Sequence, residues 1–496
     1  MYLSKSKYCL LWQCPKLLWL DTYHRELKVE DTSLEDRMAA GNEIGDLAMG
    51  LFGEFTEVTV LKEDGRPDIS AMIEWTQRCI ADGVENICEA SFSYDGLYCA
   101  VDILRKESGG YAIYEVKSST HEAEIYGVDI AYQKYVLEHC GVKVTGTYLV
   151  CIDSDYVRSE ELDITQLFKI VDMCDWVAAE TPMIPARLKQ AEETLESREE
   201  PTCDIGEHCT DPYDCAYWAY CSRHLPTPSV FDLYRMSGKK KFEYYRKGMV
   251  SFSDMLAAPK LNEKQLRQIR FQLNDCGNHI DKGGIRDFLN TLSYPIYFLD
   301  FETTQSALPP YVGTKPYQQI PFQYSLHYIE APGGELKHKE FLAESGIDPR
   351  RAIAESLCRN VPMNVCVTAY NKGFECGRLK ELSAQFTDLA EHLLNIQDNV
   401  RDLLVPFQSG YYYNRAMGGS FSIKSVLPAL FPDDPALDYH NLEGVHNGSE
   451  AMTVFPKIKD MSPEDAAETR KNLLEYCKLD TYAMVKVWEA LTEAAK

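Results

Sequence analysis

The chain has 496 residues, which is too long for one hydrophobic core and predicts roughly two to four domains. Its formal net charge of −25 argues against a basic protein that coats nucleic acid, but it does not exclude a nuclease, whose metal ligands are themselves acidic. The 17 cysteines are scattered through apolar segments, which indicates a reducing, cytoplasmic compartment in which a minority of the cysteines bind metal.

The N-terminal segment has an apolar run, YCLLWQCPKLLWL, behind two lysines, as a secretory signal peptide does. Gln13, Pro15 and Lys16 interrupt this run, and no small-residue cleavage site follows it. The chain has no uninterrupted apolar stretch of about 18 residues, the length that a membrane span needs. We therefore expect no membrane association. Residues 4–20 are predicted to form a capped amphipathic helix that runs into Cys14-Pro15 and then a second turn of helix, and residues 41–53 are predicted to form another helix.

A pair of predicted strands in the first half holds the first candidate site. Strand patterns occupy residues 55–62, 87–92, 97–104 and 111–119. Asp102 lies near the end of the third strand, and Glu115 and Lys117 share one face of the fourth, because they are two residues apart. The carboxylates would hold Mg²⁺, which activates water for phosphodiester hydrolysis, and the lysine would stabilise developing negative charge. The structural alternative is a surface hairpin with a cross-strand Glu–Lys pair.

The first half contains Asp102, then the E-V-K triplet of the fourth strand, and then a helix predicted over 129–141. This order resembles the PD-(D/E)xK nucleases, in particular the RecB-like branch that includes the CRISPR-associated exonucleases. The resemblance implies a restriction-endonuclease-like α/β fold and adds Gln133 to the catalytic residues. The aromatic residue usual four positions later is Leu137 here, so this part of the motif is incomplete. An early helix of the branch supplies a further His or Glu, for which Glu43 is the candidate.

The same branch holds a 4Fe–4S cluster with one cysteine before the nuclease core and three after it. The resemblance implies the ligands Cys14, Cys209, Cys215 and Cys221, and it leaves Cys203 spare. Thiolates are the natural ligands of such clusters. Zinc stays open from spacing alone, because two histidines are nearby, although the C-x2-C pairs typical of structural zinc are absent. Buried free thiols are the remaining alternative.

A basic connector follows the cysteines. Pro226 and Pro228 indicate a domain boundary, and residues 235–247 contain six basic residues and one acid, interleaved with three aromatic residues. This pattern suits contact with a phosphate backbone and stacking on bases, while an ordinary solvated helix face explains it equally well. Residues 226–289 are predicted to form a helical connector.

The second candidate site begins in the segment YFLDFETT, residues 297–304, which is typical of a short buried strand. Asp300 and Glu302 lie two residues apart and therefore project from the same face. Two anions at the rim of a core need a neutralising cation, and a divalent metal with oxygen ligands is the simplest one. A solvated strand end is the alternative for a D-x-E pair by itself.

Three later residues complete this candidate site. Glu375 lies where a predicted helix begins after the strand VCVTAY, and Tyr476 and Asp480 are spaced i, i+4 on a strong C-terminal helix, so that they share a face. The alternative for the last pair is a helix packing face with a surface carboxylate.

These segments resemble the DnaQ-like exonucleases of the DEDD group, which have an RNase H fold, in the subclass with a tyrosine. The resemblance implies two Mg²⁺ or Mn²⁺ ions about 4 Å apart that clamp the attacking and leaving oxygens. It also implies that Tyr476 orients or deprotonates the nucleophilic water. The second motif of the group usually ends in Asp, whereas this chain has the longer Glu375, and Asp398 and Asp402 are candidate substitutes or extra ligands.

The whole pattern resembles a little-characterised bacterial family that fuses these two nuclease types. It predicts an α/β chain with a RecB-like domain over residues 1–225, the connector over 226–289 and a DnaQ-like 3′→5′ exonuclease domain over 290–496. The expected function is a cytoplasmic, metal-dependent nuclease that cleaves DNA with single-stranded character or free ends, with RNA left open. End processing, repair or genome defence such as CRISPR adaptation, with protein partners from those pathways, is the expected setting.

The competing hypothesis is a non-catalytic nucleic-acid-binding protein or scaffold in which one or both sites are inactive. Glu375 in place of aspartate and the incomplete motif around Gln133 keep this hypothesis open.

Overall fold

The computed structural model describes residues 2–30 and 34–496. The chain is a mixed α/β protein, which confirms the predicted class, and it divides into two compact units. The first unit comprises Met1–Leu225 and Ser306–Tyr317, and the second comprises Pro226–Gln305 and Gln318–Lys496. The segment Ser306–Tyr317, which follows the strand that carries Asp300 and Glu302, thus belongs to the first unit.

The first unit is built on a seven-stranded sheet. Its strands are β1 (Leu3–Ser4), β2 (Thr56–Glu57), β3 (Asn86–Tyr94), β4 (Leu97–Glu107), β5 (Gly110–Lys117), β6 (Val144–Ile152) and β7 (Phe168–Asp172). The order is β2-β3-β4-β5-β6-β7, and β1 pairs in parallel with the start of β4. Strands β3, β4 and β5 are antiparallel, whereas β5 and β6 are parallel and are therefore joined by a crossover helix.

The helices of the first unit surround this sheet. They are α1 (Lys5–Gln13), α2 (Pro15–Tyr23), α3 (Leu34–Ala48), α4 (Ile69–Asp82), α5 (Glu124–His139), α6 (Ile164–Leu167), α7 (Cys174–Glu180), α8 (Ile184–Glu196) and α9 (Trp218–Cys221). The break predicted at Cys14-Pro15 separates α1 from α2, because Pro15 has no amide hydrogen to donate and is accepted only in the first turn of α2. Ser4 begins α1 by accepting a hydrogen bond from the Lys7 amide.

The second unit contains a five-stranded sheet in the order β11-β10-β9-β12-β13 and a two-stranded ribbon of β8 and β14. The strands are β8 (His279–Ile280), β9 (Ile296–Thr304), β10 (Ile320–Ile329), β11 (Lys337–Leu342), β12 (Cys366–Ala369), β13 (Val400–Asp402) and β14 (Tyr412–Tyr413). Strands β9, β10 and β11 are antiparallel, and β12 and β13 continue the sheet in parallel with β9.

The helices of the second unit begin in the basic segment and end at the C-terminus. They are α10 (Gly238–Arg246), α11 (Phe252–Met255), α12 (Glu263–Asn274), α13 (Lys282–Leu289), α14 (Arg350–Asn360), α15 (Gly373–Gln385), α16 (Ala390–Asp398), α17 (Val405–Gln408), α18 (Ile423–Leu430), α19 (Gly448–Val454) and α20 (Pro463–Ala494). The long helix α20 packs against β9 and β10, where Gln323 donates a hydrogen bond to the Leu473 carbonyl. Within the described residues, none of these helices or those of the first unit combines the length and apolar character of a membrane span.

Candidate metal centres

The first carboxylate centre, as we call Asp102, Glu115, Lys117 and Gln133, is assembled by β4, β5 and α5. The register that pairs Ile103 with Tyr114 sets Asp102 opposite Glu115. Lys117 Nζ donates to Glu115 Oε1 over 2.6 Å, and Gln133 Nε2 donates to Glu115 Oε2 over 2.7 Å. The four residues predicted from the sequence therefore lie together.

Three further residues of this centre were not predicted. Asp129, one helical turn before Gln133, accepts from Lys117 Nζ over 3.1 Å. Glu89 lies on β3 opposite Asp102, because the residues on either side of it pair with the neighbours of Asp102 on β4. Its φ of 57° marks a local irregularity of the strand, which the periodicity of the sequence does not reveal. Lys5, at the start of α1, donates to both oxygens of Glu115 at 3.0 and 3.2 Å.

The electrostatics of the first centre show a site that favours positive charge. Burial and the neighbouring Glu115 raise the pKa of Asp102 to about 6, and burial and Asp102 raise the pKa of Glu89 to about 7. Burial alone would also raise the pKa of Glu115, but the Lys117 and Lys5 ammonium groups together lower it below its ordinary value. Lys5 Nζ also lies 3.8 Å from Asp102 Oδ1, so that a cation already bridges the two carboxylates.

Two residues considered in the sequence analysis lie elsewhere. Glu43 is exposed on α3, and the carboxylates opposite Asp102 come from β3 and β5 instead. Leu137, which replaces the usual aromatic residue, is fully buried in the core of the first unit. Its aliphatic side chain therefore serves packing and not the centre.

The cysteine cavity of the first unit is lined by all five cysteines singled out from the sequence and by a histidine: Cys14, Cys203, Cys209, Cys215, Cys221 and His208. Cys14 Sγ lies 3.6 Å from Cys203 Sγ, which in turn lies 3.7 Å from His208 Nε2. Cys203, which the resemblance leaves out of the ligand set, thus lies next to Cys14, which belongs to it. The cavity offers thiol and imidazole donors, which are ligands for iron–sulfur clusters or zinc.

The thiols of the cysteine cavity differ in their pKa values. Hydrogen bonds with Cys14 and His208 lower the pKa of Cys203 to about 4. The hydrogen bond with Cys203, followed by one with Cys209, raises the pKa of His208 to about 10. A thiolate is the form of cysteine that binds metal, and Cys203 favours it at neutral pH. The hydrogen bond with Cys203 and burial raise the pKa of Cys14 well above its ordinary value, and burial raises the pKa values of Cys215, to about 11, and of Cys221. A metal in the cavity would therefore displace protons from these thiols.

The second carboxylate centre comprises Asp300, Glu302, Glu375, Tyr476 and Asp480. Strand β9 supplies the first two residues, the start of α15 supplies the third, and one face of α20 supplies the last two. All but Asp300 are at most 9 % exposed. An oxygen of each β9 carboxylate and the sulfur of an unpredicted neighbour, Cys477, lie within 4.8 Å of one another.

The carboxylates of the second centre repel one another in a buried setting. Burial and the neighbouring Asp480 raise the pKa values of Asp300 and Glu302 well above their ordinary range. Burial also raises the pKa of Asp480 to about 6, even though hydrogen bonds and Lys424 act in the opposite direction. A divalent cation would remove this repulsion, which makes the centre a candidate metal site.

Glu375 fits the same interpretation. Its side chain is 2 % exposed, and within the described part of the chain its Oε2 has no hydrogen-bond partner. Burial and then Asp402 raise its pKa to about 8. A buried carboxylate oxygen without a partner is unfavourable, so a cation at this place would be stabilising.

The two substitutes considered for Glu375 have other positions. Asp402 Oδ1 accepts hydrogen bonds from the Asn371 and Leu404 amides, and its Oδ2 accepts one from the Lys372 amide. These bonds hold the loop that leads into α15. Asp398 is exposed at the end of α16.

Two residues between the predicted motifs also reach the second centre. The Tyr439 hydroxyl donates to Asp480 Oδ1 over 2.7 Å. Lys424 Nζ lies 5.3 Å from the ring centroid of Tyr439 and 5.6 Å from that of Tyr476. The lone lysine in the apolar stretch SFSIKSVLPAL was a usable signal for Lys424, whereas Tyr439 lies in a segment without periodicity.

Part of the chain is similar to a known family. Residues 297–422 match a family described as a domain of unknown function, DUF2779. The matched segment contains Asp300, Glu302 and Glu375 and ends before the C-terminal helix. A comparison with curated proteins gives no match.

Proposed function

We propose that the chain is a metal-dependent nuclease with two catalytic centres, a RecB-like PD-(D/E)xK centre in the first unit and a DnaQ-like DEDD exonuclease centre in the second. The observation that supports this most strongly is the convergence of four carboxylates, Asp300, Glu302, Glu375 and Asp480, from three elements of the second unit. All of them except Asp300 are buried. Buried acids at this density are unfavourable in their charged form unless they bind cations.

In the second centre, Mg²⁺ or Mn²⁺ bound by these carboxylates would polarise the scissile phosphate and lower the pKa of the attacking water. Burial and the neighbouring Asp480 raise the pKa of Tyr476 above its ordinary value, so its hydroxyl stays protonated. In this protonated form Tyr476 would orient the attacking water through a hydrogen bond. The Lys424 ammonium group lies beside both tyrosines, where it stabilises negative charge that develops on the phosphate.

In the first centre, Asp102, Glu115 and Glu89 offer the oxygen ligands for a divalent ion. The position fits a cation because the Lys5 ammonium group already bridges two of these carboxylates. Although burial opposes its charge, Lys117 has a pKa raised well above its ordinary value by Glu115 and Asp129, so it remains an ammonium group. Its role is then to hold the phosphate or a negatively charged oxygen in place.

The cysteine cavity is proposed to hold a 4Fe–4S cluster, for which Cys14, Cys209, Cys215 and Cys221 are the ligands, with zinc on Cys14, Cys203 and His208 as the alternative. The purified protein is expected to be brown, to absorb at about 400 nm and to contain iron. Cys215→Ser should lose this absorbance, whereas Cys203→Ser should keep it.

Metal analysis separates the two alternatives for the cysteine cavity. A control variant, Cys276→Ser, changes a half-buried cysteine of the second unit and should leave the metal content unchanged. A colourless protein with stoichiometric zinc that Cys203→Ser removes would contradict the cluster and support the alternative set.

The nuclease proposal is tested with end-labelled single-stranded and duplex DNA, and with RNA of the same sequence, in Mg²⁺ or Mn²⁺. We expect digestion by the wild type, partial loss in Asp300→Ala and in Lys117→Ala, and complete loss in the double variant. Digestion that persists in the double variant would exclude both centres. No digestion by the wild type, together with binding of the same oligonucleotides, would favour the scaffold hypothesis.

A further inference from the structure

A cavity of about 900 Å³ opens beside the first carboxylate centre. Lys117 and Asp129 of the centre form part of its wall, and three tyrosines, Tyr126, Tyr213 and Tyr317, form another part. Substrate that reaches Lys117 through this cavity must therefore pass aromatic rings.

The three tyrosines come from separate segments of the first unit. Tyr126 lies in the first turn of α5, and the Lys117 ammonium group is 5.8 Å from its ring centroid. Tyr213 belongs to the loop between Cys209 and Cys215 and lines the same cavity. Tyr317 ends the segment Ser306–Tyr317, which joins the first unit after β9.

The backbone on each side of the cavity holds these rings in place. Gln13 Nε2 donates to the carbonyls of Tyr213 and His208, at 2.7 and 2.8 Å, and so fixes the loop of Tyr213 to the end of α1. The Tyr317 hydroxyl donates to the carbonyl of Ser118, the residue that directly follows Lys117. Even so, 55 % of Tyr213 and 36 % of Tyr317 remain exposed.

The conformation of Tyr317 indicates that its side chain matters. Its φ is +57°, in the left-handed region that glycine favours and that an aromatic residue rarely adopts. The Tyr317 amide donates to the Ser306 carbonyl over 2.8 Å, which maintains this conformation. A strained backbone that keeps a large, partly exposed ring beside Lys117 is typical of a residue retained for binding.

We propose that Tyr126, Tyr213 and Tyr317 form a base-stacking wall that makes the first centre select unpaired nucleotides, with Tyr317 as the specificity-determining residue. The inference rests on the proposed nuclease function and names the substrate form that this centre accepts. Bases of a single strand can stack on exposed tyrosines, whereas the faces of bases in a duplex are already covered by their neighbours. The wall thus selects single strands while Lys117 faces the phosphates.

Two substitutions at Tyr317 test the wall. Tyr317→Gly removes the ring and also relieves the backbone, so the fold should persist, which circular dichroism can verify. Tyr317→Phe keeps the ring and removes only the hydroxyl. Tyr94→Ala is the matched control, because Tyr94 is 39 % exposed in the same unit but does not line the cavity.

Binding is measured by fluorescence anisotropy in EDTA, so that hydrolysis does not interfere. The probes are a labelled oligothymidylate, a duplex of equal length, and an abasic oligomer with the same number of phosphates. We expect Tyr317→Gly to bind the oligothymidylate about tenfold or more weakly, and Tyr317→Phe and Tyr94→Ala to bind it within about threefold of the wild type. Affinity for the abasic oligomer should be the same in all four proteins.

The contrary results are equally distinct. Unchanged oligothymidylate binding by Tyr317→Gly would overturn the wall, and so would equal weakening by the glycine and phenylalanine variants, which would assign the effect to the hydroxyl. Cleavage in Mg²⁺ is assayed separately in an Asp300→Ala background. If Tyr317→Gly in this background cleaves single strands in preference to duplex by the same ratio as its parent, the inference is refuted and the nuclease function is left intact. If Tyr317→Gly loses its affinity for the oligothymidylate while the Asp300→Ala parent cleaves no DNA, the wall is retained and the nuclease function of the first centre is refuted.

Discussion

Asp480→Asn is expected to lower the rate of phosphodiester hydrolysis by the second centre about 100-fold or more. Asparagine keeps the size of the side chain and its bond from the Tyr439 hydroxyl, but it removes the negative charge that would face the metal. The rate is measured in a Lys117→Ala background, with labelled oligonucleotide in Mg²⁺, so that only the second centre acts.

Tyr439→Phe is the control for this substitution. It leaves the carboxylate of Asp480 in place and removes only the hydroxyl that orients it, so the rate should fall less, by about tenfold. A rate for Asp480→Asn equal to that of its parent would show that this carboxylate binds no catalytic metal.

Divalent ions are expected to stabilise the second unit, and more at pH 8 than at pH 6. The metal-free centre has carboxylates whose pKa values are raised, to about 6 for Asp480 and about 8 for Glu375, mainly by burial. The protonated carboxylates contribute to the free energy of unfolding, and this contribution is fully present below the unfolded-state pKa of about 4. It is lost as the pH rises through the raised pKa values of the folded state. Mg²⁺ or Mn²⁺ replaces the lost protons, with a gain of about 2.7 kcal/mol at an ion concentration of 100 times Kd.

Thermal unfolding followed by calorimetry with and without Mn²⁺ at both pH values checks this expectation. Asp300→Asn removes one of the repelling charges, so the metal-free variant should be more stable than the wild type at pH 8 and gain less from Mn²⁺. Asp398→Asn, at an exposed position, should behave as the wild type. Comparison of variants at one pH cancels the contribution of other buried groups such as His327, whose pKa is lowered to about 3 by burial. An equal Mn²⁺ effect in all three proteins would place the ion elsewhere.

The sequence was sufficient where a site depends on local periodicity. Glu115 and Lys117 share a face because strand side chains alternate, and Tyr476 and Asp480 share one because of the helical repeat. Asp129 could have been found in the same way, since it lies one turn before Gln133 on α5.

The residues that were missed depend on tertiary placement. Lys5 resembled an ordinary flanking lysine, and only the parallel pairing of β1 with β4 carries it to Glu115. Glu89 reaches the centre through a backbone irregularity with positive φ, and Tyr439 through a short turn of 3₁₀ helix. Neither feature leaves a periodic pattern in the amino-acid sequence.

The segment Ser306–Tyr317 makes the first unit discontinuous along the chain. Its Ala307 and Leu308 pack in a core with Tyr156, and Arg158 donates to the Pro309 carbonyl and accepts from the Gly313 amide. During synthesis, the first unit therefore stays incomplete until Tyr317 has left the ribosome. A fragment that ends at Leu225 would lack these partners and expose apolar surface, so we expect it to aggregate, whereas joining residues 1–225 to 306–317 through a short linker should restore a folded half.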